Sequence, residues 1–134
     1  MALMTIAKGR SKITETIFEN RMNHVDLLNQ MGSSITLKDN NIALINGVKK
    51  LRGMTLVGLD LRSSAALIIA ALTSESVSYV YGLEHLDRGY ENFEQKLSKL
   101  GIEIKRQKTK RIISESNYDN STLNNKKMSE IRAA

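Results

Sequence analysis

Apolar positions recur along this chain in short blocks whose period switches between helix and strand. Residues 1–8 have helical spacing and stop at Gly9, a residue suited to the left-handed conformation that closes helices. Nothing caps the front of this block, and a lone helix needs ~12–15 residues even to be marginal in water. The pattern reads as the tail of a longer element, which leads to the expectation of a fragment. A Thr/Ile-rich strand is expected at about 12–18, and a helix at about 23–31 with Val25, Leu28 and Met31 on one face before Gly32. Strands at about 34–38 and 41–45 read as a hairpin around Asp39-Asn40-Asn41, with Ile35, Leu37, Ile42 and Leu44 inward. Another strand is expected at about 54–59. The block 62–73 is apolar nearly all round and predicts a helix buried on several sides. A strand at 76–81 alternates through Val77, Tyr79 and Tyr81. A helix at 90–100 places Tyr90, Phe93, Leu97 and Leu100 on one stripe, and a strand at 102–105 follows Gly101.

The resulting order, α-β-α-β-β-β-α-β-α-β, is that of a mixed α/β (α+β) chain. It contains an echo. Leu28 to Ile35 (LNQMGSSI) and Leu97 to Ile104 (LSKLGIEI) share a helix end, a Gly and a strand start, 69 residues apart. A repeated βαβ-rich unit accounts for this spacing.

With 134 residues, 41% of them hydrophobic, the chain can build one core. Its longest apolar run, Ala65 to Leu72, is far short of the ~20 residues a spanning helix requires, so no membrane segment is expected. No secretory leader is legible in MALMTIAKGR, and there is no cysteine. A cytoplasmic location is the expectation. The net charge of +6 is concentrated at one end. Residues 1–104 hold 12 Lys/Arg against 11 Asp/Glu, whereas residues 105–134 hold 8 against 3. The pattern therefore divides the chain into a folded part, 1–106, and a basic tail, 107–134. That tail is Asn/Ser-rich, without periodicity, and is expected to be disordered and dispensable for the fold.

His24 and His85 are the only histidines, too few for a metal site at recognised spacing, and no metal or organic cofactor is expected. No Gly-rich phosphate loop or GxSxG serine occurs. Arg21, Arg62 and Arg88 each stand where a loop is expected to run into a helix. The positive end of a helix dipole opposes a cation there, unless an anion is held between the guanidinium and the free amides. A simpler account pairs the three arginines with their acidic neighbours Glu19, Asp60 and Asp87.

The strings around these arginines carry a resemblance. ITETIFENRMNHVDLLNQMG (13–32), GVKKLRGMTLVGLDLRSSAALIIAAL (47–72) and HLDRGYENFEQKLSKLGIEIKR (85–106) are similar, in register, to the C-terminal third of the UDP-N-acetylglucosamine 1-carboxyvinyltransferases. These are enolpyruvyl transferases of peptidoglycan synthesis. The match covers residues 1 to about 106, and the tail after about residue 108 has no counterpart in it. The resemblance implies a partial inverted α/β barrel (α/β prism) built of repeated βαβαββ units. It implies Arg88, Arg62 and Arg21 as a basic cluster for phosphoenolpyruvate, and Ile17 as a main-chain contact to UDP-N-acetylglucosamine. Glu19, Asp60 and Asp87 would support the arginines. The family's catalytic Cys, Lys and Asp have no counterpart in this chain, so activity of the chain alone is not expected. A separately encoded N-terminal fragment is the partner this implies; a membrane partner is not. Two other readings stand beside it. One is a fragment resembling 5-enolpyruvylshikimate-3-phosphate synthase. The other is a small basic nucleic-acid-binding module, which the near-neutral body disfavours.

Overall fold

The computed structural model describes residues 1–109 and 128–133. Helix α1 (Ala2–Ile6) leads into strand β1 (Arg10–Thr14), helix α2 (Val25–Gln30) and the hairpin β2 (Ser34–Lys38) and β3 (Ile42–Asn46). Strand β4 (Thr55–Val57), helix α3 (Leu61–Ala71) and strand β5 (Ser78–Tyr81) follow. Helices α4 (Leu83–Leu86) and α5 (Phe93–Ser98) then lead to β6 (Ile104–Thr109) and β7 (Met128–Ala133).

Two sheets result. One is antiparallel, in the order β1-β3-β2; the other runs β4-β5-β7-β6, with β4 parallel to β5 and β7 antiparallel to both its neighbours. The echo seen in the sequence is therefore a structural repeat. In both sheets a first strand and a second strand flank a third that is antiparallel to each: β1-β3-β2 and β5-β7-β6. Gly32 and Gly101, 69 residues apart, both sit in the left-handed region, at φ 93° and 86°, and each ends the helix that enters the second strand.

Helix α3 lies at the centre. Ser63, Ser64, Ala65, Leu67, Ile68, Ala70 and Ala71 are all buried, so the all-round apolar pattern did mark burial on several sides. The helix packs against α1, α2, α4, β5 and β7. Its small residues let neighbouring backbones approach. Leu28, Met31, Ile45, Leu51, Leu56, Val80 and Leu86 complete the core. Val25, Leu28 and Met31 are the buried face of the second helix, as expected.

Several expectations need correction. The β5 alternation has the opposite phase: Ser78 and Val80 are fully buried, while Tyr79 is exposed. The buried slot tolerates a serine because its hydroxyl meets the Met54 N–H (3.3 Å) and the Ser74 hydroxyl (3.3 Å). In the hairpin, Ala43 and Ile45 face the core rather than Ile42 and Leu44. Residues 42–45 are continuously apolar, so the sequence has no phase there, and pairing with β1 and β2 sets it. Leu37, expected inward, is exposed. The 90–100 helix shortens to α5, preceded by the unexpected turn α4, and Leu100 is 77% exposed beyond the helix end.

The largest correction concerns the tail. Residues 128–133 form β7, inserted between β5 and β6, with Ile131 and Ala133 fully buried. A disordered tail from residue 107 is thus wrong for 107–109 and 128–133; residues 110–127 and 134 lie outside the described residues. Periodicity missed β7 because its buried Ile131 and Ala133 stand in an otherwise polar stretch, separated by the exposed Arg132.

Candidate functional site

The cleft between the loop after β1 and the start of α3 holds four of the expected site residues. It is open, about 330 Å³, and is lined by Ile17 and Arg21 on one side and by Asp60 and Arg62 on the other. Met1, Met22 and His24 also line it.

The loop is shaped by Glu15. Its carboxylate accepts the N–H groups of Ile17 (2.8 Å) and Phe18 (3.2 Å), ending β1 earlier than the sequence suggested. Those two bonds, the Ile17 one first, hold its pKa below the ordinary value. The turn leaves Ile17 79% exposed at the cleft's lip. Because the Ile17 N–H is engaged, its carbonyl is the main-chain group it can present. The Arg21 guanidinium lies 4.6 Å from the centroid of the Phe18 ring, a cation–π contact that fixes the fork without neutralising it.

Across the cleft, Asp60 caps α3. Its carboxylate accepts the N–H groups of Arg62 (2.8 Å) and Ser63 (2.9 Å), and Ser63 closes a capping box by returning its hydroxyl to the Asp60 N–H. Asn23 donates its amide to the other Asp60 oxygen at 3.0 Å, tying the two walls together across 37 residues of sequence. Partial burial pushes the Asp60 pKa up. The hydrogen bonds from Ser63, Asn23 and Arg62 outweigh that effect and bring it down to about 2. Burial, and then the nearby N-terminal ammonium, pull His24 below its ordinary value, while Asp60 opposes them.

A pH dependence follows for Asp60. Its folded pKa is below the unfolded value of 3.8, so its contribution to stability is complete above pH 4 and disappears as pH falls towards 2. Acid titration of the folding midpoint should show this loss in the full chain and a shallower slope in Asp60→Asn. Asp60→Ala should cost about 1 kcal/mol at pH 7, the usual worth of such a cap.

The simple pairing account fails at all three arginines. Asp60 caps its helix, Asp87 is bound by Arg106, and Glu19 is exposed; among the described residues none of them makes an ion pair with Arg21, Arg62 or Arg88. Nor are the three frames equivalent. Arg62 is in the first turn of α3, Arg21 lies in the turn before α2, and Arg88 follows α4. Arg88 does not line the cleft, but its turn abuts the cleft's helix: Gly89 packs on the Leu61 side chain, between Asp60 and Arg62 in sequence. Sequence reasoning missed Glu15, Phe18 and Asn23. Of these only Glu15, a carboxylate two residues ahead of an exposed turn, left any signal.

Comparison with known proteins places this fold in one class. The family model described as EPSP synthase (3-phosphoshikimate 1-carboxyvinyltransferase) matches residues 1–97, and the chain belongs to that family. A UDP-N-acetylglucosamine 1-carboxyvinyltransferase of Prochlorococcus marinus subsp. pastoris is 86% identical over all 134 residues. One from Prochlorococcus marinus strain MIT 9515 is 75% identical over 107 residues, 80% of this chain. The chain spans 29% and 23% of the length of these two relatives. Among solved structures, the enolpyruvyl transferase NikO from Streptomyces tendae superposes with a TM-score of 0.63 at 30% identity, over 71% of this chain and 22% of that one. An EPSP synthase from Acinetobacter baumannii gives 0.62 at 15% identity, over 96% of this chain and 26% of that one, a likeness of fold. The fold is thus the mixed α+β fold of enolpyruvyl transferases. The full-length match also corrects the expectation that the tail lacks a counterpart in the family.

Proposed function

We propose that this chain supplies the anion-binding wall of a cytoplasmic UDP-N-acetylglucosamine 1-carboxyvinyltransferase of peptidoglycan synthesis. In that reaction the 3-hydroxyl oxygen of the sugar bonds to C2 of phosphoenolpyruvate while C3 gains a proton. Loss of that proton and of inorganic phosphate then leaves the enolpyruvyl ether. Both substrates are anionic, and negative charge shifts onto the departing phosphate. The observation that carries the reading is that Arg21 and Arg62 face one cleft beside the N-terminus of α3 and form no salt bridge among the described residues, Glu15 acting on Arg21 only through space. Cations not consumed in salt bridges are available for charge that develops during reaction. In this reading Arg62, Arg21 and Arg88 hold phosphoenolpyruvate, and the Ile17 carbonyl meets the nucleotide sugar. Asp60 and Glu15 shape the walls. Glu19 is a peripheral support and Asp87 acts through its own partner.

The test is reconstitution. The chain is mixed with a polypeptide carrying the remainder of the Prochlorococcus relative, and phosphate release is followed. Turnover should need both polypeptides, phosphoenolpyruvate and UDP-N-acetylglucosamine, and Arg62→Ala should reduce it about 10²–10³-fold. Phosphate release by the chain alone would overturn this division of labour. The name of the matching family model favours a second acceptor, shikimate 3-phosphate. Turnover with that acceptor and not with the nucleotide sugar would replace the first reading by the second.

A further inference from the structure

Arg106 breaks the pattern of its strand. In β6 it is opposite Ile131, and its neighbour Ile104 is opposite Ala133; Ile104, Ile131 and Ala133 are all buried. An arginine therefore occupies the core-facing row of the second sheet, where an apolar side chain is expected. Its guanidinium reaches across to the turn between α4 and α5. The two terminal nitrogens donate to the two oxygens of Asp87, at 2.8 Å and 2.5 Å, in the forked geometry that fixes direction as well as distance. The first of those nitrogens also lies 3.8 Å from Glu94 Oε2 in the first turn of α5, an oxygen that is buried and accepts no hydrogen bond among the described residues. One cation thus touches the residue that enters the turn and the helix that leaves it. Without that cation two carboxylates would repel each other across the turn.

The turn is pinned a second time. Gly89 sits against the Leu61 side chain with no room for a Cβ without displacement, and the Gly89 and Tyr90 N–H groups close back on the Leu86 carbonyl at 3.2 and 3.0 Å. Arg88 is the residue between the two pins. Its own side chain is exposed and makes no ion pair among the described residues. A fixed backbone carrying an uncommitted cation is what a prearranged anion ligand requires.

We propose that Arg106 is a positioning residue for Arg88, acting through Asp87, so that the second sheet sets where the Arg88 cation points. The proposal rests on the reading that Arg88 binds phosphoenolpyruvate. It extends that reading by making the β6–β7 pair part of the site's support.

The test uses the full chain and nuclear magnetic resonance. Phosphoenolpyruvate is titrated against wild type, Arg106→Gln, Arg106→Lys and the swapped pair Asp87→Arg/Arg106→Asp. Hydrogen exchange of the Gly89 and Tyr90 amides and the thermal midpoint are recorded in parallel. Arg106→Gln should weaken binding and speed exchange about fivefold, the scale of a part-exposed forked pair, and lower the midpoint by only a few degrees. The swapped pair should restore both, and the lysine, a single-point donor, only part. Unchanged exchange and affinity in Arg106→Gln would overturn the proposal. If wild type shows no phosphoenolpyruvate response at Arg88, the ligand reading fails, and exchange at Gly89 and Tyr90 still decides whether Arg106 positions the turn. Should Arg106→Gln not fold, Asp87→Asn, which leaves the guanidinium beside Glu94, must show the faster exchange or the proposal is lost.

Discussion

A chain ended at Gln107 should unfold roughly 9–15 °C below the full chain, because the lost segment includes a central strand. β7 pairs with β5 through Ser78–Val80 and with β6 along its whole length, and it buries Ile131 and Ala133 completely. Burying one isoleucine side chain contributes about 1.5–3 kcal/mol, and each net inter-strand hydrogen bond about 1 kcal/mol. A loss of about 3 kcal/mol moves the midpoint of a domain this size by roughly 3–5 °C per kcal/mol, about 9–15 °C in all. Removing β7 also opens the facing edges of β5 and β6 and uncovers Ile104. Ile131→Ala, which keeps the strand, should cost about 2–4 kcal/mol by itself. Thermal unfolding followed by circular dichroism measures both; truncation with a shift below about 2 °C would show that β7 contributes nothing to the fold.

Gly82→Ala should destabilise the chain by about 3 kcal/mol or more, whereas Gly101→Ala should cost only about 1 kcal/mol. Both glycines have positive φ, 78° and 86°, so both substitutions carry the left-handed penalty. They differ in space. A Cβ on Gly101 meets nothing within 4 Å, while one on Gly82 would lie 2.3 Å from the Gly58 carbonyl oxygen. Gly58 cannot retreat, since its N–H is bonded to the Tyr81 carbonyl at 2.9 Å where β4 and β5 run side by side. Urea midpoints for the two variants isolate the contact term, and equal costs would refute it. Gly82 also begins α4, so the variant should loosen the turn that carries Asp87 and Arg88.

Much of the first repeat was legible from residues alone. Val25, Leu28 and Met31 have an unambiguous helical spacing. Asp39 and Asn40 both adopt the positive φ that their turn chemistry suggested. The second repeat was harder to read. Its hairpin is interrupted by residues 110–127, so the local signal that marks β2 and β3 as partners is absent between β6 and β7. Continuous apolar runs, as at 42–45, and a buried serine, as at 78, also hide the face a strand presents.

The site divides in the same way. Arg21, Arg62 and Arg88 stood out because a cation near a helix start runs against the local electrostatics, and a sequence shows that conflict directly. Which carboxylate each would meet was not legible. Proximity along the chain favoured Asp60, Asp87 and Glu19, but Asp60 is committed to backbone N–H groups and Asp87 to Arg106, 19 residues away.

The sequence by itself determined the helices with clean period, the glycine stops, the tight hairpin and the identity of the arginines that stand out at the helix starts. Each depends on interactions within a few residues, where spacing translates directly into geometry. Only the tertiary structure decided the phase of the strands, the incorporation of β7, the bridge from Asn23 to Asp60 and the clasp of Arg106 on Asp87. Those depend on contacts between segments distant in sequence, and hydrophobic and hydrogen-bonding forces select such partners only after the chain has brought its elements together.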